Sequence, residues 1–408
     1  MFKKLAFMIM GEYVVNFSRL FLFALVSLTL VFGSPAVIQA DQPKKNLYIG
    51  ILVPLTGFLA LEGESQRNGA LLALENPPAV LRQANISIEY EVFDTGTTPE
   101  GATLAFNRLL RRDNLVAISG PILGTQMLAL LPLAQKSEIP LTTISGTSSL
   151  TEQGNRWLFR FFPNDSVVKK AQTLYAANFR KVQRPIIFYQ TTAYGQSGLQ
   201  YLQQYLADLK IDPIESISID PNIRDLAPIL LRVMQKNPDG FLLQLHAPST
   251  ALLIQQARQL NIELPIIAGS AMHQPSTAKL LSAAELKNVC AETSAAPVVD
   301  SNPTMRAFVV HYQQRFGKEP DAFAVAQYDA MNMLMQEIAR AVENHHDQAL
   351  MTIATLRNQL RLGLSQQPFN GLAMHYQADT KGNMAHSAII ICYNGYNHQS
   401  EIVERYNP

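Results

Sequence analysis

The stretch IGILVPLTGFLALEGESQRNGALLALE, residues 49–75, decides the fold. The branched apolar residues from Leu47 to Val53 predict a short strand that ends at Pro54. Thr56-Gly57 supplies a turn, and an amphipathic helix follows it. A turn at the carboxyl end of a strand, facing a helix N-terminus, is where open α/β sheets bind ligands. A plain strand–helix unit without a site fits the same pattern, and the stretch alone does not separate the two.

The spacing of apolar residues predicts which side of this helix is buried. Three apolar residues recur at helical spacing, and polar residues fall between them. The helix is predicted to bury Ala70, Leu71 and Leu74 and to expose Glu64, Gln66 and Arg67.

Length and composition indicate a two-domain chain with ordinary cores. The 408 residues are 48% hydrophobic and 16% charged, with a formal net charge of +1. A chain of this length usually forms more than one domain. Because no basic stripe stands out, nucleic acid is not expected as a partner.

The N-terminus has the pattern of a secretory signal. Lys3, Lys4 and Arg19 precede the apolar run 20–32, and the small-residue stretch GSPAVIQA follows at 33–40. Cleavage after Ala40 or after Ala36 fits this pattern, and an uncleaved anchor is the alternative. No cysteine lies near either position, so a lipid anchor is not expected. Residues 1–40 are therefore interpreted as a signal peptide that directs export of the chain.

The chain has only two cysteines, Cys290 and Cys392, both in apolar contexts typical of strands. In an oxidising compartment they could form a disulfide. Two buried free thiols acting as small hydrophobic residues are the alternative.

From residue 46 onward, strand and helix patterns alternate, which indicates an α/β fold with parallel sheets. The segment 155–165, NRWLFRFFPND, interrupts the alternation and is interpreted as a crossover into a second lobe. The alternation then restarts from 167, so the halves 46–155 and 165–290 are predicted to be two similar α/β units. Helical patterns follow at 304–316, 322–342 and 349–362, and strand patterns at 369–376 and 388–402.

Enzymatic and metal-binding functions find no support in the motifs. The sequence contains no GxSxG, Walker, GxGxxG or HExxH motif. The eight histidines show no metal-ligand spacing. We therefore expect no enzyme activity, no cofactor and no metal.

A series of motifs, in order along the chain, resembles the type I periplasmic binding proteins. The resemblance is strongest to the branch of leucine/isoleucine/valine-binding proteins and their relatives, which include amide and urea binders. Each motif is weak alone, but the order and spacing of the set make the resemblance specific. The motifs are PLTG (54–57), SGPILGTQ (119–126), PLTTISGTSSLTE (140–152), RFFPND (160–165), AYGQSG (193–198), LLIQQARQLNIELPIIAGS (252–270) and AFAVAQYDAM (322–331).

The resemblance implies two Rossmann-like lobes, joined by a three-stranded hinge, with the ligand in the cleft between them. One crossing near Pro163 was already indicated by the residues. The resemblance places the others near Ala296-Pro297 and before Phe369. The expected lobes are 46–162 plus 297–366 and 163–296 plus 367–408.

The resemblance also implies which residues hold the polar head of the ligand. In the family, two loops of the first lobe supply hydroxyl and N–H groups, and these match Leu123 and Gly124 and then Ser145, Gly146 and Thr147. Tyr194 matches a cleft tyrosine of the second lobe. The alternatives are simple helix capping for Ser145 and Thr147, and a surface aromatic for Tyr194.

Three positions depart from the pattern of the amino-acid binders. The loop 269–273, which contains Met272, lacks the acid that pairs with a ligand ammonium group. His246 replaces an aromatic residue, and Glu62 stands where relatives often carry an aromatic. A cationic, amide-like or urea-like ligand could use Glu62, and His246 could hydrogen-bond it. A solvated carboxylate and an ordinary loop histidine are the alternatives.

The predicted function is therefore an exported, monomeric solute-binding protein. It would close two lobes over a small polar ligand and deliver it to the membrane permease of an ABC transporter. The rival is a ligand sensor, or a regulator of an envelope enzyme by protein interaction, on the same fold. A blocked or apolar cleft would favour the rival.

Overall fold

The protein is described from a computed structural model, which covers residues 44–344, 351–384 and 386–406. The predicted signal at 1–40 lies outside these residues. Within them, no helix combines the length and the apolar character that crossing a membrane requires.

The strands form two main sheets and one small ribbon. Their carboxyl ends carry the loops described below. The strands are β1 Lys45–Val53, β2 Ile86–Asp94, β3 Leu115–Ser119, β4 Leu141–Thr143, β5 Leu158–Arg160, β6 Pro185–Gln190, β7 Glu215–Ile219, β8 Gly240–Gln244, β9 Ile266–Ala268, β10 Val289–Thr293, β11 Phe369–Asn370, β12 His375–Tyr376, β13 Ala388–Tyr393 and β14 Ser400–Tyr406.

The helices cover the faces of the sheets. They are α1 Ala60–Leu74, α2 Ala79–Gln83, α3 Pro99–Leu109, α4 Gly124–Ser137, α5 Asp165–Asn178, α6 Ala193–Asp208, α7 Ala227–Met234, α8 Ala247–Gln259, α9 Pro275–Ala278, α10 Pro303–Phe316, α11 Ala322–Glu343 and α12 Ile353–Gln366.

The two sheets repeat one topology, as the alternation of patterns predicted. The first is parallel, with the order β2-β1-β3-β4-β5. The second has the order β14-β13-β10-β9-β8-β6-β7, and only β13 and β14 run antiparallel to their neighbours. In each sheet the earliest strand, β1 or β6, lies between the next two. The strand order therefore reverses beside β1 and β6, which is the position where open α/β sheets leave a crevice.

The sheet with its packed helices defines each lobe. The first lobe contains β1–β5, α1–α4 and α10–α12, and the second contains β6–β10, β13, β14 and α5–α9. The chain passes into the second lobe after β5, returns after β10, and passes again before β13.

The third crossing lies later than expected. Residues from 367 onward were assigned to the second lobe, but Phe369, Tyr376 and Met384 belong to the apolar core of the first. Asp329 on α11 explains this placement, because its carboxylate accepts hydrogen bonds from the backbone N–H of Leu372 and from the Tyr376 hydroxyl, at 2.8 and 3.0 Å. The boundary at 367 is therefore wrong, and the second lobe resumes only at β13.

The predicted buried side of α1 is partly wrong. Gln66 is fully buried and donates to the Gly120 carbonyl and to Gln327, while Leu71 and Leu74 are only half-buried. The helix is wedged between the end of β1 and α11. An added Cβ on Gly63 would lie 1.9 Å from the Pro54 carbonyl oxygen, and one on Gly69 would lie 2.2 Å from that of Ala324. Such close approach buries nearly every side of the helix, so periodicity could not identify its outer face.

Cys290 and Cys392 stand opposite each other on the antiparallel strands β10 and β13, and a disulfide joins them. The Tyr175 hydroxyl of α5 lies 3.2 Å from the Cys392 sulfur. The bond therefore ties together two strands that each adjoin a crossing between the lobes.

Candidate functional site

A small cavity of about 30 Å³ lies between the lobes, at the carboxyl ends of strands from both sheets. Loops after β1, β3, β4 and β5 line one side, and loops after β6, β8 and β9 line the other. This is the crevice that the strand order predicts. Its polar lining is Glu62, Asp165, Tyr194, His246 and Ser270, and the rest is Leu59, Ile122, Leu123, Ile144, Gly146, Phe162, Ala271 and Phe323.

The structure brings five of the nine candidate ligand residues to this cavity. They come from separate loops and helix starts, three in the first lobe and two in the second. These residues are Glu62, Leu123, Gly146, Tyr194 and His246.

Gly124, Ser145 and Thr147 lie just behind the lining rather than on it. The Ser145 N–H donates to the Thr143 hydroxyl at 3.1 Å, and the Ser145 hydroxyl donates to that of Thr147 at 3.4 Å. An added Cβ on Gly124 would lie 2.1 Å from the Thr147 hydroxyl oxygen, so these two loops pack tightly against each other. Their polar groups are thus largely used to build the loops.

Met272 does not reach the cavity. Its side chain is fully buried in the apolar core of the second lobe, and its carbonyl accepts a hydrogen bond from the Tyr393 hydroxyl at 2.8 Å. A short 3₁₀ turn, Ser270–His273, explains this, because it directs Ser270 and Ala271 to the cavity and Met272 away from it.

Glu62 links the two lobes across the cavity. It lies in the first turn of α1, where the helix dipole favours negative charge, and it is only 2% exposed. One carboxylate oxygen, Oε1, accepts from the backbone N–H of Ala247 at the start of α8, at 3.2 Å. The other, Oε2, has no hydrogen-bond partner among the described residues. Burial raises the pKa of this carboxyl to about 7.

His246 is an uncharged, packed residue of the wall. Its ring lies 5.0 Å from that of Tyr194 and 5.1 Å from that of Phe58, and its Nε2 is 3.1 Å from the Thr192 hydroxyl. Burial lowers its pKa to about 3, so the imidazole is neutral at physiological pH. Tyr194 presents a buried hydroxyl without a hydrogen-bond partner in the described part of the chain.

Asp165 is the acidic residue that sequence reasoning missed. It is the first residue of α5, it is 1% exposed, and its Oδ2 has no partner among the described residues. Burial raises its pKa to about 6, although the Lys169 charge opposes this. In the sequence it follows Asn164, whose side chain caps the helix, so the pair has the pattern of an ordinary helix start. Its position in the RFFPND crossover was the only signal.

Arg160 holds the loop that faces Asp165, residues 145–148, which we name the SGT loop. Its guanidinium is fully buried and donates to the carbonyls of Ser145 and Thr147 at 3.2 and 2.8 Å. Burial lowers its pKa to about 10, so it remains a cation at physiological pH. It also donates to the Thr151 hydroxyl and to the Asn383 side-chain oxygen, so it positions this loop against neighbouring segments.

A second acidic group lies behind the cavity wall. Glu292 on β10 forms a fully buried ion pair with Lys169 of α5 at 2.5 Å. The Ser270 hydroxyl lies 2.8 and 2.9 Å from the two oxygens of Glu292. The loop 269–273 contains no acid, as the sequence shows, but the fold places the charge of Glu292 directly behind it.

Several contacts between the lobes hold the cleft closed. The Gln274 side chain donates to Asp321 at 2.7 Å, and the Ala322 N–H donates to Nε2 of His273 at 3.0 Å. The Ala193 N–H donates to the Thr125 hydroxyl at 3.0 Å. The described residues hold no cluster of His, Cys, Asp and Glu that could bind a metal ion.

Comparisons with known proteins agree with this architecture. The family model described as periplasmic binding protein matches residues 46–392. A Leu/Ile/Val-binding protein homolog 8 from Brucella suis biovar 1 is 23% identical over 84% of this chain and 87% of its own. The Leu/Ile/Val-binding protein BraC3 of Rhizobium johnstonii is 22% identical over 56% of this chain and 62% of its own.

Solved structures with the same fold have similarly low identity. A leucine binding protein, LivK, from Thermotoga maritima superposes with a TM-score of 0.78, at 23% identity, over 89% of this chain and 99% of that one. The substrate binding protein LivJ from Streptococcus pneumoniae, in complex with isoleucine, superposes with a TM-score of 0.76 at 19% identity, over 88% of this chain and 99% of that one. These relatives and neighbours are binding proteins rather than enzymes. The chain belongs to the periplasmic binding protein family, with the two-lobed type I fold.

Proposed function

We propose that this protein captures a small polar solute between its two lobes and hands it to the membrane permease of an ABC transporter. The N-terminal segment would export it to the periplasm, where it would act as a monomer. Candidate ligands include amino acids, amides, urea-like compounds and small cations. The names of the relatives favour solute binding for this chain, while its own residues determine which solute.

One observation carries the proposal. Glu62 belongs to the first lobe, yet its carboxylate accepts a hydrogen bond from the start of α8 in the second, above a cavity that both lobes line. A ligand in this position contacts both lobes only when they are closed. Because a ligand shifts a conformational equilibrium by its differential affinity, such a ligand would favour closure.

The rival role, a sensor or regulator that acts by protein contact, predicts a cleft sealed by its own side chains. The cavity is small, which agrees with that role. The buried oxygens of Glu62, Asp165 and Tyr194 do not agree with it, because they find no partner among the described residues. Sealing a cleft over such groups costs free energy that a ligand would recover. We therefore favour solute capture.

The test is to identify what the protein holds. Purified protein is denatured, and the released small molecules are identified by mass spectrometry and then titrated back in a thermal-shift assay. A saturating ligand at 100 times its dissociation constant should stabilise the protein by about 2.7 kcal/mol.

A cavity-filling variant makes this test specific. Ala271→Leu puts extra volume into the cleft, whereas Ala207→Leu adds the same volume on the exposed side of α6. The shift should disappear in the first variant and remain in the second. A shift that survives Ala271→Leu, or a protein from which no small molecule is released and that no solute stabilises, would favour the rival.

A further inference from the structure

We propose that the cleft selects a compact organic cation that carries N–H donors and no carboxylate, such as an ammonium, amidinium or guanidinium compound. This inference rests on the proposed solute-binding function and specifies its ligand class. It is argued from the polarity of the groups that surround the cavity.

The lining offers hydrogen-bond acceptors and negative charge. Glu62 from the first lobe and Asp165 from the second each present a buried carboxylate oxygen without a partner among the described residues. The buried hydroxyl of Tyr194, on the same cavity, also has no hydrogen-bond partner in the part of the chain that the structure describes. A ligand cation with N–H donors would satisfy both carboxylate oxygens.

No basic side chain lines the described cavity. The two buried cations next to it already have partners. Lys169 is paired with Glu292, and Arg160 donates to the SGT loop and its neighbours. A ligand carboxylate therefore has no side-chain cation to meet.

The SGT loop has also lost much of its capacity to bind an anion. The Ser145 N–H is bonded to the Thr143 hydroxyl, and the Ser148 N–H donates to the Ser197 hydroxyl of the second lobe at 3.0 Å. The Ser145 hydroxyl donates to that of Thr147 at 3.4 Å. Ser145 is one of the residues that the family resemblance assigns to the polar head of the ligand, and its N–H and its hydroxyl hydrogen are both used within the protein.

Asp165 gives this part of the cleft the opposite polarity. A Cβ added to Gly146 would lie 3.0 Å from the Asp165 Oδ1, so the carboxylate touches the loop at the residue that lines the cavity. A ligand carboxylate placed against the SGT loop would face this carboxylate at short range, which is unfavourable in a buried site. A cation in the same place is favoured.

The remaining walls suit the apolar part of a small cation. Leu59, Ile122, Phe162 and Phe323 line them, and aromatic faces attract cations. A quaternary ammonium ion has no N–H to give to the carboxylate oxygens. This distinguishes it from the proposed class.

Protonation gives an independent signature. Burial raises the pKa of Glu62 to about 7, with Asp321 adding to the shift, and that of Asp165 to about 6, with Glu292 adding and Lys169 and Arg160 opposing. A cation requires both groups in the ionised form, so its affinity should rise as the pH increases from 5.5 to 8. A neutral amide or urea should show no such increase.

Three related probes test the inference by isothermal titration calorimetry on the full mature protein, at concentrations too low to denature it. Methylguanidinium carries the proposed chemistry, methylurea is its neutral isostere, and guanidinoacetate adds a carboxylate. We expect methylguanidinium to bind at least tenfold more tightly than either of the others. Tetramethylammonium should bind more weakly than methylguanidinium.

Two variants assign the effect to the carboxylates. Glu62→Gln and Asp165→Asn should each weaken methylguanidinium binding about tenfold and remove part of its pH dependence, with methylurea unaffected. Glu64→Gln is the matched control, because Glu64 lies on the same helix but points to Lys318 at the surface. Its affinity should equal that of the wild type.

Tighter binding of methylurea or guanidinoacetate, unchanged affinity in both carboxylate variants, or no binding of methylguanidinium would each overturn the inference. None of these results would overturn the proposed solute-binding function. That function depends on the release of a small molecule from the purified protein and on the Ala271→Leu variant. The two failures are therefore distinguishable.

Discussion

Three buried acidic residues lie in or behind the cavity wall, and they differ in whether their hydrogen bonds are complete. We call Glu292 the complete group, and Glu62 with Asp165 the incomplete group. Glu292 is paired with Lys169, and Ser270 donates to it, so the protein provides its partners. Glu62 and Asp165 are equally buried, yet each keeps one oxygen without a partner among the described residues. Burial alone therefore does not identify the functional acid. We infer the functional acids instead from incomplete hydrogen bonding at a cavity, because a buried unpaired oxygen is costly and a ligand can pair it.

The comparison predicts opposite consequences for removing a partner and removing an acid. Removing Lys169 leaves Glu292 as a buried charge without its ion-pair partner. Such a change is among the most destabilising in proteins. Replacing the carboxylate of Glu62 or Asp165 by an amide removes a buried charge. We therefore expect it to weaken ligand binding without lowering the stability of the protein. The predictions below test this difference, beginning with the largest expected effect.

Lys169→Met should lower the free energy of unfolding by roughly 3–5 kcal/mol, because it leaves Glu292 unpaired in the core. Urea unfolding followed by circular dichroism measures the loss. Lys170→Met is the matched control, since the neighbouring lysine is exposed on the same helix and should change stability by less than ~0.5 kcal/mol. Equal stabilities of the two variants would show that the Lys169–Glu292 ion pair does not stabilise the fold.

Glu62→Gln should stabilise the ligand-free protein relative to the wild type, increasingly as the pH rises. The pKa of Glu62 is about 7 in the folded protein, against an ordinary 4.5, so its contribution to stability is complete below pH 4.5 and lost as the pH rises through 7. The difference should reach roughly 2–3 kcal/mol by pH 8. Burial lowers the pKa of His246, so its titration changes the stability of both proteins with pH in the direction opposite to Glu62. The quantity to measure is therefore the difference in unfolding free energy between Glu62→Gln and the wild type.

Urea unfolding at pH 4.5, 6 and 8 gives this difference. Glu64→Gln again serves as the control and should show no such trend. A difference that is constant with pH would mean that Glu62 is not a buried, incompletely paired acid.

Tyr194→Phe should weaken methylguanidinium binding five- to tenfold, corresponding to about 1–1.4 kcal/mol, with no loss of stability. It removes a buried hydroxyl that lacks a partner among the described residues, so the protein itself loses no hydrogen bond. Calorimetric titration and urea unfolding measure the two quantities. Tyr201→Phe, on the same helix, is the control. A loss of stability without a change in affinity would place the hydroxyl in the structure instead of the site.

The fold could be predicted from the sequence because its signals are local. Alternating strand and helix patterns indicated two similar α/β units, and the segment 155–165 marked the first crossing. The last crossing could not be located, because Asp329 fixes residues 372–376 from more than forty positions away. Long-range polar contacts of this kind leave no periodic pattern.

The site was predictable only in part, for a similar reason. Glu62, Tyr194 and His246 follow strand ends, where the crevice of an open sheet must lie, and they line the cavity. Met272 also follows a strand end, but the direction of its side chain depends on one short turn. Asp165 looked like part of a helix start, because its neighbours show the cap and give no sign of its burial. The sequence shows which loops meet, and the packing determines which side chains face inward.

Ser270→Ala is the smallest change and separates the two acidic groups most directly. The Ser270 hydroxyl faces the cavity but donates to Glu292, so its loss should lower the free energy of unfolding by about 1 kcal/mol and leave methylguanidinium affinity within twofold. Urea unfolding and titration measure both, with Ser276→Ala in α9 as the control. If the affinity falls while the stability holds, Ser270 contributes to the ligand site. Ser270 would then not be part of the hydrogen bonding that completes Glu292.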